Sequence, residues 1–201
     1  MGLKYAGCED LCYPGTHVLI NMAGIRDQAT LNQFESECVM ARTETVPPWQ
    51  PGAAYFCSIH RHLFQDVYAW AGECRNCVLS LPNPGAPDSL FCLPLFIRRN
   101  LDNALATVTA EHLGRLNDGE LAELLGTVVT ALNAVHPFRE GNGRTMRAYA
   151  DQVALFVGRT VDFSTVTAEE WHHASVQGFN TDDSGPMARL FARALCPVLE
   201  H

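Results

Sequence analysis

The segment Val135–Arg147 reads VHPFREGNGRTMR and gathers a histidine, an acid, two glycines, an asparagine and several arginines into one short stretch. Gly141 and Gly143 permit close backbone approach where a helix is about to start, with its free amides and positive dipole end, and that combination is a cradle for anions. Arg144 and Arg147 are three residues apart and share a helical face. Two planar guanidiniums there suit a polyphosphate better than a single carboxylate. Asn142 adds a neutral donor. Glu140 beside bound phosphates calls for a cation between them, and a hard Mg²⁺ held by one carboxylate plus phosphate oxygens meets that need. His136, just before the cradle and titrating near neutrality, is placed to take a proton from an attacking hydroxyl. Together these residues describe nucleotide-dependent group transfer at phosphorus.

Taken singly, each residue has a plainer explanation. A histidine before proline is commonly structural, Gly-Asn-Gly is a common turn, and Arg144 with Asp151 or Glu140 could be an ordinary surface ion pair. A base, a metal acid, an anion cradle and two arginines on one turn are hard to explain jointly in that way. The functional reading prevails.

Two core helices must hold this turn. Asn117 with Glu120 reads as a capping box, followed by Leu121, Leu124, Leu125, Val128, Val129 and Leu132 on one face; Pro137 biases His136 out of helical geometry. After the glycines a second helix turns Met146, Ala150, Val153, Ala154 and Val157 inward and stops at Gly158. Earlier in the chain, apolar spacing predicts helices over 28–42 and 52–70, with Ala71-Gly72 as a stop, and from Phe96 through Val108 to Gly114. CVLSLPNPGAPDSLFCLP gives the one strand signal, a β-hairpin with a long tip. Thr167 with Glu170 caps a later helix. A last one starts near Ser184, with Met187, Leu190, Phe191 and Leu195 inside. The fold class is all-α with a small hairpin, one domain over residues 1–201.

Composition narrows the roles. The chain has 47% hydrophobic and 18% charged residues, enough to bury a core, and a formal charge of -8 that argues against direct nucleic-acid binding or a membrane-surface role. With Glu9 and Asp10 where a signal peptide would be basic and apolar, the protein reads as cytoplasmic. The 8 cysteines lack the short secreted context of a disulfide framework, and most read as small buried hydrophobes. Cys74 and Cys77 make one CxxC to which Cys57, His60 or His62 could add zinc ligands. A lone CxxC is a weak metal signal.

The turn resembles the motif of Fic-domain proteins, HxFx(D/E)GNGRxxR, at every fixed position: His136, Phe138, Glu140, Gly141, Asn142, Gly143, Arg144 and Arg147. The likeness extends to IHRHLFQDVYAWAGECR ahead of the hairpin, to CYPGTHVLINMAGIRD, which resembles the opening of stand-alone bacterial members, and to GPMARLFARAL as the closing helix. It implies a helical bundle with a hairpin flap over about 77–95 and an active-site turn at 136–147. The implied activity is transfer of AMP from ATP to a tyrosine, serine or threonine hydroxyl of a target protein. By position, His136 becomes the general base, Glu140 the Mg²⁺ ligand, Gly141, Asn142, Gly143 and Arg144 the hole for the α- and β-phosphates, and Arg147 the γ-phosphate clamp. Phe138 becomes a core anchor, and the flap holds a target segment by strand-like pairing, with Leu93 and Leu95 as clamp side chains. Gly143 stands where the phosphorylating branch of the family has lysine, which favours adenylylation.

Many family members are switched off by a helix of pattern (S/T)xxxE(G/N), whose glutamate pairs with the second motif arginine. The nearest spacings here, Thr107 to Glu111 followed by His112 and Thr165 to Glu169 followed by Glu170, do not fit. The chain thus resembles the toxin class held off by a small separate antitoxin, whose stand-alone members adenylylate DNA gyrase and topoisomerase IV. The alternatives are an effector-like enzyme modifying host GTPases and a non-catalytic nucleotide-binding module. At 201 residues there is little room for a secretion domain, and intact His136 and Glu140 oppose degeneration.

Overall fold

A computed structural model of the chain describes residues 6–81 and 89–198. Its helices are α1 (Gln28–Thr43), α2 (Ala53–Phe64), α3 (Pro94–Leu105), α4 (Ala110–Leu113), α5 (Asp118–Val135), α6 (Asn142–Phe156), α7 (Ala168–Thr181) and α8 (Gly185–Ala194). The strands are short: β1 (Ser80–Leu81), β2 (Ser89–Leu90), β3 (Arg159–Val161) and β4 (Leu195–Pro197). Among the described residues, no helix is long and apolar enough to cross a membrane.

The helix α5 is the axis of the bundle. Its capping box forms as the sequence predicts: Asn117 Oδ1 accepts from Glu120 N–H, and Glu120 Oε2 accepts from Asn117 N–H. Beyond the cap, Leu121, Leu125, Val128, Val129 and Leu132 are fully buried. Its backbone meets α8 closely, since a Cβ on Gly126 would lie 2.6 Å from the Ala188 backbone. The other long walls are α2, which buries Phe56, Ile59, Leu63 and Phe64, and α6, which buries Tyr149, Ala150, Val153 and Ala154. The second predicted capping box, Thr167 with Glu170, also forms, at the start of α7.

Several expectations are corrected. The helix expected over 52–70 ends at Phe64. There the chain turns, with Val67 and Tyr68 N–H both bonded to Phe64 O, and Val67 O is taken by Met22 N–H at 2.9 Å, so that carbonyl no longer serves a helix. The stretch from Phe96 to Gly114 divides into α3 and α4, because Thr109 caps a new helix by accepting from His112 N–H. Leu195 leaves α8 to open β4, whose pairing with β3 (Val161 opposite Leu195, Arg159 opposite Pro197) has too few residues to announce itself as alternation.

The hairpin expected over 77–95 pairs at Ser80 with Leu90 and Leu81 with Ser89; its tip, 82–88, lies outside the described residues. Ala6 adds a further bridge to Ser80, exchanging N–H···O bonds of 2.9 and 3.0 Å. That bridge brings Cys8 to Cys77, and the two form a disulfide. The cysteines are therefore not all simple buried hydrophobes. No local pattern connects two positions 69 residues apart.

Candidate active site

The turn between α5 and α6 is fixed by the side chains it hides. His136 closes α5 in the left-handed region (φ 46, ψ 61), the departure that Pro137 predicts. Phe138 is fully buried, stacked on the His60 ring with centroids 3.8 Å apart. Asn142 staples the loop to itself: its Oδ1 accepts from Phe138 N–H at 3.0 Å and its Nδ2 donates to Phe138 O at 2.8 Å. That leaves the second Nδ2 hydrogen as the side chain's remaining donor. Its main-chain amide, at the first position of α6, is a further donor.

The two glycines differ. Gly141 caps α6 at φ 84, and a Cβ there would lie 2.4 Å from the buried Phe64 ring. Gly143 is helical, and a Cβ there would meet no protein atom within 4 Å. Gly141 is thus required by the fold, whereas Gly143 leaves the approach to the α6 amides without a side chain.

Two residues from elsewhere carry the turn's carbonyls. His60 is buried, and burial pulls it down to about 3, so the ring is neutral. Its Nδ1 accepts from Gly72 N–H at 2.8 Å, which leaves Nε2 as the donor to Glu140 O at 3.0 Å. Arg75, also buried, donates from Nε to His136 O at 2.8 Å, and its other nitrogens reach Val135 O, Cys92 O and Cys77 O. Its own N–H donates to Pro137 O at 2.8 Å. The strap 71–77 thereby underpins both the histidine and the acid of the motif. It also removes the zinc alternative, because His60 uses both ring nitrogens and Cys77 is in a disulfide.

The outward side chains form one face. A Glu140 carboxylate oxygen accepts from Gly141 N–H at 3.0 Å, and the same oxygen stands 3.6 Å from Arg144. Arg144 pairs with Glu35 of α1, whose other oxygen accepts from Tyr68 Oη, and its guanidinium lies 4.7 Å from the Phe64 ring centre. The Tyr68 phenol is pushed up by burial and by the Glu35 charge. Arg147 lies 5.4 Å from the Trp171 ring centre and has no carboxylate at ion-pair distance among the described residues. Burial, and after it the Arg144 charge, lower its proton affinity. Both arginines line one cleft of about 380 Å³ walled by Val39, Met40 and Phe163.

On the opposite side, Phe91, next to β2, stacks on the His136 ring with centroids 3.9 Å apart. Cys92 N–H donates to Ala134 O at 3.2 Å and so ties the hairpin to the end of α5. The clamp positions lie off the β ladder: Leu93 is the N-cap of α3 and Leu95, 85% exposed, is in its first turn. Leu93 borders a groove of about 640 Å³ between α3 and α5 that runs along Val135, next to His136.

The structure thus sets Glu140 beside Arg144, puts Arg144 and Arg147 on one cleft and holds His136 at the start of the same turn, against Phe91; Leu93 borders the groove along Val135, and Leu95 is exposed. Sequence reasoning missed Glu35, Tyr68, Phe91 and Arg75, and saw His60 only as a metal ligand. For Glu35 and His60 a signal existed: each is a polar residue inside an apolar stripe, Glu35 between Leu31 and Val39 and His60 between Phe56 and Phe64.

Known proteins are similar to this chain in sequence and fold. The model of the Fic/DOC family matches residues 51–154. A probable protein adenylyltransferase of Sinorhizobium fredii is 36% identical over 96% of this chain and 100% of its own length. One from Salmonella typhimurium is 29% identical, with 96% of each chain covered. Among solved structures, the BepC protein of Bartonella tribocorum, a VirB-translocated effector with bound AMPPNP, superposes with a TM-score of 0.85 at 28% identity, covering 95% of this chain and 98% of that one.

Proposed function

The chain belongs to the Fic/DOC family and is a protein adenylyltransferase, and from that premise we propose how its residues divide the reaction. The observation that supports the division is one short turn, opened by His136, whose Gly143 leaves the start of α6 free of a side chain and whose Arg144 and Arg147 line one cleft. A target tyrosine, serine or threonine hydroxyl attacks the α-phosphorus of ATP in line; its proton passes to His136, the bond to the bridging oxygen breaks, and pyrophosphate leaves. The amides of Gly141 to Arg144 and the Arg144 guanidinium take the α- and β-phosphate charge, and Arg147 holds the γ-phosphate. Glu140, an oxygen donor at the mouth of an anion cradle, fits a hard cation and is the residue that would hold Mg²⁺, whose charge offsets that of the phosphates. The hairpin and Leu93 border the approach to His136, and we assign them to holding the target segment, with Leu95 at its outer rim.

The test is incubation of the purified chain with labelled ATP and a bacterial lysate, followed by mass spectrometry of the labelled proteins. AMP on a hydroxyl residue, absent with His136→Ala, is expected. An unchanged label with His136→Ala removes the general base from this scheme.

For regulation and target we propose the toxin reading: a small antitoxin supplies a glutamate to Arg147, and the target is DNA gyrase or topoisomerase IV in the bacterial cytoplasm. Supporting it, Arg147 is a largely buried guanidinium with no carboxylate at ion-pair distance among the described residues, in a partly apolar cleft that a helix could enter. Expression should arrest growth and change DNA topology. If the chain alone stayed inactive until one of its own glutamates was mutated, the separate antitoxin would be ruled out. A second reading, an effector acting on host GTPases, draws on BepC, described as a translocated effector. Labelled GTPases in a eukaryotic lysate, with no labelled topoisomerase in a bacterial one, would favour it. A nucleotide-binding module without catalysis predicts no label at all under conditions where ATP binds.

A further inference from the structure

The site holds one more acid than the transfer scheme uses. Glu35 is buried on the apolar stripe of α1, between Leu31 and Val39, and the same helix walls the cleft lined by Arg144 and Arg147. An ionised carboxylate in such a place is costly unless it is paired and hydrogen-bonded, and an apolar side chain of similar volume would serve the core as well or better. Both of its oxygens are committed: Oε1 accepts from Arg144 Nη2 and Oε2 from Tyr68 Oη. Tyr68 is itself fixed, buried and stacked on the Trp70 ring with centroids 4.5 Å apart. The carboxylate is therefore anchored from behind.

Arg144 is held from two directions. Its guanidinium lies 4.7 Å from the Phe64 ring centre, and Nη2 is the nitrogen that Glu35 takes. Nε and Nη1 have no protein acceptor among the described residues. The other carboxylate in reach among those residues is Glu140, four positions earlier, 3.6 Å from the same Nη2.

We propose that Glu35 is a positioning residue for the transfer: anchored by Tyr68, it fixes Nη2 of Arg144 so that Nε and Nη1 are left for phosphate oxygens of the nucleotide. This rests on the phosphate role proposed above for Arg144. With Glu35 neutralised, Nη2 closes on Glu140 and the guanidinium turns with it. The sign of the effect is diagnostic. An acid near bound phosphates opposes ATP binding, so charge alone makes ATP bind more tightly once Glu35 is neutral. Positioning has the reverse consequence, because a guanidinium turned toward Glu140 makes poorer charge-assisted bonds to the nucleotide.

The experiment is a double-mutant cycle on the full chain, with ATP affinity measured at equilibrium by displacement of a fluorescent ATP analogue and folding checked by thermal denaturation. Glu35→Gln, which keeps the size of the side chain, should weaken ATP binding about tenfold, and Arg144→Ala at least as much. In the Arg144→Ala background the charge effect alone is left, so Glu35→Gln should leave ATP affinity level or raise it. Tyr68→Phe keeps the ring and the Glu35 charge and removes only the donor behind it. It should weaken ATP binding about threefold, again only where Arg144 is present, and it decides the question if Glu35→Gln fails to fold. Unchanged or tighter ATP binding in either folded variant overturns the positioning role. So does equal weakening with and without Arg144, which is the mark of general damage to the site. ATP affinity unaffected by Arg144→Ala would instead remove the phosphate role of Arg144 from the proposed function, and this inference with it.

Discussion

Replacing each of the two motif glycines by alanine should separate folding from phosphate binding within a Gly-Asn-Gly unit. At Gly141 the backbone is left-handed and the added Cβ would come within 2.4 Å of the Phe64 ring, itself packed in the core. The left-handed conformation costs an alanine about 1–2 kcal/mol and overpacking about 1–3 more. A loss of roughly 3 kcal/mol lowers Tm by about 6–12 °C in a chain of this size. At Gly143 the backbone is helical and the added methyl meets no protein atom within 4 Å, so the substitution gains up to about 0.5 kcal/mol of helix propensity. On the binding mode proposed above, a phosphate approaches the α6 amides beside this methyl. Gly143→Ala should therefore melt at or slightly above the wild-type temperature while transferring AMP at least about tenfold more slowly, since an anion kept from its donors loses upward of 1.4 kcal/mol. Thermal denaturation paired with a labelled-ATP transfer assay reads both effects. Wild-type activity in a stably folded Gly143→Ala protein would falsify the assignment of those amides to the nucleotide.

Three further outcomes follow from the supports of the turn. Arg75→Met removes the donors from four carbonyls, of His136, Val135, Cys92 and Cys77, and should cost about 3–5 kcal/mol in denaturant titration; a loss below about 1 kcal/mol would mean the strap does not carry the turn. His60 gives a pH signature: its ordinary value is 6.5 and burial depresses it to about 3, so below pH 6.5 the unfolded chain binds a proton that the folded chain refuses. Stability should fall by about 1.4 kcal/mol per pH unit from 6.5 downward, roughly 2 kcal/mol by pH 5 and above the range where carboxylates titrate; His60→Gln should flatten that slope, and an unchanged slope refutes the assignment. Arg147→Ala removes a guanidinium disfavoured by burial and by Arg144, so its Tm should stay level or rise while transfer drops about a hundredfold; a marked loss of stability would make Arg147 a structural residue.

What could be read from the chain was what is local in it. The caps at Asn117 and Thr167 and the break at His136 depend on neighbours within four residues, and all three form. The motif residues could be placed because the turn that unites them is a few residues long. Glu35, Tyr68, Arg75 and Phe91 reach the site from other elements, and their roles exist only once α1, α2, the strap and the hairpin are packed. The same reason hid the Cys8–Cys77 bond and the β3–β4 pair. Arg75 gave no signal, because an arginine that binds carbonyls has no partner type for a sequence pattern to match. Glu35 did give one, as an acid on the buried face of an otherwise apolar helix.

The density of polar groups in VHPFREGNGRTMR reflects two interleaved sets with opposite needs. Phe138, Asn142, Thr145 and Met146 face inward, each at most 2% exposed, and the Asn142 amide and Thr145 hydroxyl bond to the turn's own backbone. Arg144 and Arg147 line the cleft, with Glu140 beside Arg144, and their arrangement follows from the helix that the first set starts. A turn that had to bind phosphate with the same groups that fold it would reorganise whenever nucleotide left. Here folding groups are satisfied without ligand, so the amides and arginines can hold their positions in advance, which is the condition for electrostatic stabilisation to act on a transferring phosphoryl group. His136 belongs to both sets: its carbonyl is fixed by Arg75 and its ring by Phe91, so the proposed base is positioned by the same contacts that end α5. Loosening either contact should therefore slow transfer before it unfolds the bundle.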